Sequence, residues 1–132
     1  MNKIKVNLIQ DKINIQSLYD EFYNKLNDST GTILIHHGKA KYPGKYKKNY
    51  SKIKLYIKDE KAYEKIYEFT EHVSKKYNLN KIFVYHQIGT IDKNDTILFL
   101  AVEAKDRNSA FNAVRTILEF IKSETLIGLE EV

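Results

Sequence analysis

The chain has 132 residues, 30% charged and 42% apolar, which fits one domain over residues 1–132 and excludes global disorder. It has no cysteine, which excludes disulfides, thiolate zinc sites and a cysteine nucleophile. The net charge of +5 comes from one segment: residues 39–54 carry seven lysines and no acid, and the remainder has 15 basic residues against 17 acidic ones. In chain order, residues 3–9 alternate Ile4, Val6 and Leu8 with Lys5, Asn7 and Ile9, the pattern of a half-buried strand. Ile15, Leu18, Tyr19, Phe22 and Leu26 then recur at helical spacing behind Asn14 as cap, up to the breaker at residues 28–31. Residues 32–37 read as a strand, the lysine- and tyrosine-rich stretch around Tyr42-Pro43-Gly44 as a basic loop at about 39–52, and residues 52–57 as another strand.

A second helix is expected over residues 59–77, with Ala62, Ile66, Phe69, Val73 and Tyr77 as its apolar stripe. Residues 81–88 form a strand with Ile82, Val84, His86 and Ile88 on one face, and residues 92–95 a turn. The nearly continuous apolar run over residues 96–102 predicts a strand central in its sheet. A third helix over residues 107–123 turns Ala110, Phe111, Val114, Ile117, Leu118 and Ile121 inward, and residues 126–130 close with a short strand. This order of elements predicts an α+β fold, one domain with a mixed or antiparallel sheet and three helices. The longest apolar run is too short to span a bilayer, and residues 1–10 lack a signal-peptide core. The expectation is a cytoplasmic protein without membrane association.

Several constellations bear on chemistry. His36 and His37 are adjacent on a strand and point to opposite faces, so they do not chelate one ion; with His72 and His86 they predict no metal site. Gly31 to Gly38-Lys39 does not match a phosphate loop in spacing, and Ala40 stands where a Ser or Thr is needed. Tyr42, Tyr46 and Tyr50 interleave with lysines, a pattern compatible with base stacking and phosphate contacts. On an ideal helix Arg107, Arg115 and Lys122 lie within a sector of roughly 80° at the border of the apolar face. Arg107 also stands at the helix start, where free N–H groups favour an anion, and Asp106 before it suits an N-cap.

The stretch from Val84 to Val102, with His86, Ile88, Gly89 and Asp95, followed by Arg107, Ala110 and Phe111 and ending in Phe120-Ile121-Lys122, resembles the catalytic (large) subunit of molybdopterin synthase, the MoaE family. Gly31, Gly38 and Lys39 match its upstream strand and loop, with Lys41 at an arginine position. The resemblance spans about residues 4–131 and is most specific over 84–122. It implies the family's α/β hammerhead fold. It implies Lys122 as the catalytic lysine and Lys39, Lys41, Asp106, Arg107 and Arg115 as substrate-binding positions. Three positions depart from the family pattern. Asp106 replaces a histidine, Lys41 keeps the arginine's charge without its bidentate fork, and Leu129 occupies the place of a second lysine.

The activity this implies is transfer of two sulfurs from a thiocarboxylated small ubiquitin-like carrier, on its Gly-Gly tail, to cyclic pyranopterin monophosphate, giving the dithiolene of molybdopterin. No cofactor or metal is implied. The implied assembly is a homodimer within a heterotetramer with the carrier subunit. The competing expectations are a non-catalytic homologue that binds the carrier or an anionic ligand, and a nucleic-acid-binding module acting through the Lys/Tyr-rich loop.

Overall fold

The computed structural model describes residues 3–132, so the first two residues of the 1–10 stretch read for a signal-peptide core lie outside the described residues. Along the chain the elements are β1 (Ile4–Ile9), α1 (Ile15–Tyr23), β2 (Thr32–Lys39), β3 (Ile53–Ile57), α2 (Ala62–Lys76), β4 (Lys81–Gln87), β5 (Gly89–Ile91), β6 (Thr96–Ala104), α3 (Arg107–Ile121) and β7 (Ile127–Glu131). The strands divide into two sheets, one ordered β1-β4-β6-β2 and a smaller one ordered β5-β3-β7. In the larger sheet β1 runs parallel to β4, and the other pairs are antiparallel.

The continuous apolar runs of β4 and β6 follow from their central places, because helices cover both faces of this sheet. On one face α2 and α3 pack Ile66, Val73, Val114 and Ile117 against Val84, Leu100 and Val102. On the other, Leu18 and Phe22 of α1 meet Phe83, Tyr85 and Phe99. Val84 and Phe83, one residue apart, thus serve two different cores, as strand alternation requires. The smaller sheet has its own cluster of Ala40, Ile53, Leu55 and Ile91.

Element ends follow local chemistry. Asn14 caps α1 by accepting the Ser17 amide at 3.0 Å. That helix stops at Tyr23, short of Leu26, because Lys25 turns left-handed (φ 69°) and Lys81 Nζ takes the Phe22 carbonyl at 2.7 Å. The second helix begins at Ala62, the first residue of its apolar stripe and later than the expected start at residue 59, because Asp59 accepts the Lys61 amide at 2.8 Å and ties residues 59–61 into a turn. Strand β5 has no counterpart among the sequence expectations. Gly89, with φ 103°, swings the chain out of β4 and into the smaller sheet within two residues, a backbone state costly to any residue with a Cβ. Among the described residues no helix is long and apolar enough to cross a membrane.

Candidate functional site

The two sheets and the end of α3 meet around a cavity of about 370 Å³, within the range of small-molecule sites. The larger sheet contributes His36, Gly38, Lys39, His86 and Leu98, and the smaller one Ile53, Leu55, Ile127, Leu129 and Glu131. Ile121 and Lys122 close it from α3, and Lys41, Lys45 and Glu124 from the surrounding loops. The side chains sort by depth. His86, Leu98, Ile53, Leu55 and Ile121 are buried, whereas Lys39, Lys41, Lys45 and Lys122 are exposed. A mostly apolar floor is therefore ringed by four ammonium groups.

Local structure explains each placement. Register pairs His36 with Leu100 and Gly38 with Leu98, on the face that α3 covers. A bulge between Gly38 and Lys39 then breaks the alternation, so Lys39 joins the same cavity wall as its neighbour; bulges re-aim side chains in this way. The Lys39 ammonium donates to Asn94 Oδ1 at 2.8 Å. Lys122 is the C-cap of α3, its N–H bonded to the Leu118 carbonyl at 2.8 Å, where a cation also suits the helix dipole. Its ammonium makes no hydrogen bond or ion pair among the described residues.

The basic loop is fastened to the cavity. Glu131 accepts the backbone N–H groups of Lys45, Tyr46 and Lys47 at 2.6, 2.7 and 2.6 Å. Burial pushes the Glu131 carboxyl up, but these three bonds and the charge of Lys41 outweigh it and hold it below its ordinary value. Lys45 and the Tyr46 hydroxyl both donate to Glu124, whose carboxyl those bonds lower. The loop tyrosines bond within or next to the loop: Tyr42 to Asn49, Tyr50 to the Lys41 carbonyl, and the two rings in edge contact at 5.1 Å. They do not form an open row of stacking faces.

Both cavity histidines are pushed toward the neutral form. Burial lowers the His86 pKa against one hydrogen bond, in which Nδ1–H donates to the Gln87 carbonyl at 2.8 Å. Burial, then the charges of Lys122 and His37, lower that of His36. His37, on the opposite face, bonds Thr96 Oγ1 at 2.7 Å. Among the described residues no group of three or more histidines or carboxylates is arranged to hold a metal ion.

Of the residues singled out in the sequence, the fold brings Lys39, Lys41 and Lys122 together. Arg107 and Asp106 stand at the other end of α3, whose 15 residues measure about 22 Å at 1.5 Å per residue. Asp106 is engaged there as N-cap, accepting the Ser109 amide at 2.8 Å and its hydroxyl at 3.1 Å. Arg115 lies mid-helix and exposed, outside the cavity wall. Sequence reasoning gave no site role to His36, His86, Lys45, Glu124 or Glu131. For His36 a signal existed, since it shares a strand face with Gly38. For Glu131 there was none, because its role depends on a loop 84 to 86 residues away in sequence.

Comparisons with known proteins bear on the family and the fold. The family model described as "MoaE protein" matches residues 8–124. The chain is 30% identical over 73 residues to the molybdopterin synthase catalytic subunit of Thermoplasma volcanium, a match covering 55% of this chain and 53% of that protein. The chain thus spans about half the length of the curated relatives it matches. Its fold superposes on the molybdopterin synthase structure from Staphylococcus aureus with a TM-score of 0.78 at 20% identity, covering all of this chain and 92% of the other. It also superposes on the complex of subunits 1 and 2 of molybdopterin-converting factor from Helicobacter pylori, with a TM-score of 0.77 at 14% identity over 98% and 84% of the two chains. With the family model matched over most of its length, the chain belongs to the MoaE family.

Proposed function

We propose that this protein is the catalytic subunit of a molybdopterin synthase. In this reading it transfers sulfur from the thiocarboxylated Gly-Gly tail of a small carrier subunit to cyclic pyranopterin monophosphate. The observation that carries the reading is the cavity itself, an apolar floor that ends at an unpaired Lys122 under a ring of lysines. A flat heterocycle fits the floor, and a cyclic phosphate and an acyl tail fit the cationic rim. Lys122 is the catalytic residue, its amine set to meet the acyl carbon of the tail or to hold the negative charge that develops as sulfur departs. Lys39 and Lys41 hold the substrate's anionic groups. Arg107, Asp106 and Arg115 form a separate surface of the same protomer. The partner is a small carrier subunit, a reading supported by the two-subunit molybdopterin-converting factor complex from Helicobacter pylori, the assembly is a heterotetramer about a homodimer of this chain, and the compartment is the cytoplasm.

The test is reconstitution with thiocarboxylated carrier and cyclic pyranopterin monophosphate. Lys122→Ala is expected to lose at least about a hundredfold in rate, or roughly 2.7 kcal/mol of barrier. Lys52→Ala, whose ammonium pairs with Asp92 away from the cavity wall, is expected to lose little. Equal rates in all three proteins, or an inactive wild type, overturn the proposal.

A further inference from the structure

His36 has a feature that the sulfur-transfer chemistry above leaves unused. Its Nε2 is sealed from solvent yet has no hydrogen-bond partner among the described residues, although buried polar groups normally find one. The ring stands in the cavity wall on the face shared with Gly38, Leu98 and Lys122. A Cβ built on Gly38 would lie 3.4 Å from His36 Nε2 and 3.8 Å from the Leu98 side chain. Those separations are ordinary contact, so the bare backbone of Gly38 leaves a narrow slot of about one methyl group beside that nitrogen, bounded on one side by an apolar side chain, and a small turn of the ring is needed to present Nε2 to a ligand there.

From this arrangement we infer that His36 is a substrate-binding residue, whose Nε2 hydrogen-bonds the nitrogen heterocycle of the substrate in the slot over Gly38. Charge separates the duties of the wall. Lys39, Lys41 and Lys122 at the rim supply cations for phosphate and carboxylate groups, while Lys45 is paired with Glu124. An imidazole pushed toward its uncharged form by burial and by the Lys122 ammonium is no further anion site, and it presents one donor and one acceptor. That matches the ring N–H, ring nitrogen and carbonyl groups along the edge of a pterin. Nor is a second imidazole free for the task at Nδ1, since His86 spends that N–H on the Gln87 carbonyl. Leu98 and Ile121 supply the apolar contact that a flat ring needs.

This inference rests on the proposed function, and the experiment separates the two. Binding of cyclic pyranopterin monophosphate, without carrier and so without turnover, is followed through pterin fluorescence under anaerobic conditions. The wild type is compared with His36→Phe, which keeps a flat ring without nitrogen, and with His36→Gln, which restores a polar group at similar reach. The expected result is at least a tenfold loss of affinity in His36→Phe and recovery of most of it in His36→Gln. A purely packing role for the ring would give the opposite order, with Phe the milder change, and would overturn the assignment. Wild-type binding that is unchanged in His36→Phe overturns the role of His36 and leaves the proposed function standing. A wild type that does not bind the pterin overturns both.

Discussion

Glu103 is the penultimate residue of β6, 1% exposed and flanked by the fully buried Val102 and Ala104. A carboxylate in such a place must be paired and hydrogen-bonded. Its Oε1 accepts the Asn27 amide at 3.0 Å and the Thr30 hydroxyl at 2.7 Å, and Lys81 Nζ stands 3.1 Å from Oε2. Burial pushes this carboxyl up, and the two hydrogen bonds with Lys81 more than reverse the effect. Because Lys81 also holds the end of α1 through the Phe22 carbonyl, one ammonium ties a helix, a loop and two strands. Lys81→Met is expected to leave the carboxylate unpaired and cost about 3–5 kcal/mol in urea denaturation. Loss of the exposed Lys5–Glu21 pair should cost less than about 1 kcal/mol. Equal effects would show that Glu103 is solvated after all. Such residues were only partly legible in the sequence. Alternation along β2 placed His36 and His37 on opposite faces, but which face belongs to the cavity depends on where the end of α3 comes to rest. Glu103 falls just past the apolar run over residues 96–102, and its partners come from two distant segments, the loop holding Asn27 and Thr30 and the start of β4.

Among the elements, the basic loop behaves as a strap and not as a free solvated chain. Three consecutive amides converge on Glu131 of β7, and the smaller sheet continues past both strand ends, where Val132 exchanges hydrogen bonds with Lys52. A glutamate whose folded pKa is depressed stabilises the fold fully above its unfolded value, and that contribution is lost as pH falls through the folded value. The strap should therefore hold at neutral pH and loosen in acid, below the ordinary glutamate range. Glu131→Gln removes the charge while keeping one acceptor oxygen. At neutral pH it is expected to speed hydrogen exchange at the Lys45, Tyr46 and Lys47 amides by at least about tenfold, the equivalent of 1.4 kcal/mol. Unchanged exchange at all three would place the fastening elsewhere. Long periodic elements were legible from their apolar spacing, α3 and the central β6 most clearly. What escaped was short or depended on the joining of two sheets. Strand β5 has three residues, too few to show alternation, and the bulge that turns Lys39 into the cavity is a register shift with no sequence mark of its own.

For the whole molecule the open question is what covers the outer edge of the larger sheet. Helices cover both of its faces, but the order β1-β4-β6-β2 leaves β1 and β2 at the margins. Exposed edges template pairing with other chains unless charge, shortness or a covering element blunts them. Strand β1 carries Lys5 near its start, paired with Glu21. In the smaller sheet, β5 is short and β7 carries Glu130 and Glu131. Strand β2 differs, because residues 32–38 contain no charge, and Ile33, Leu34 and Ile35 are only partly buried. One margin of the molecule thus lacks the usual protection, and pairing of two copies across it would bury those side chains and satisfy the outward backbone groups. A symmetric contact of this kind uses the same surface on both partners and closes at a dimer. Light scattering at high micromolar concentration is expected to give a mass near twice 15.5 kDa, and Ile33→Lys, which sets a charge on the edge strand, should shift that mass toward a single chain. A single-chain mass for the wild type at that concentration overturns the dimer, and a Lys variant that remains paired moves the contact away from β2.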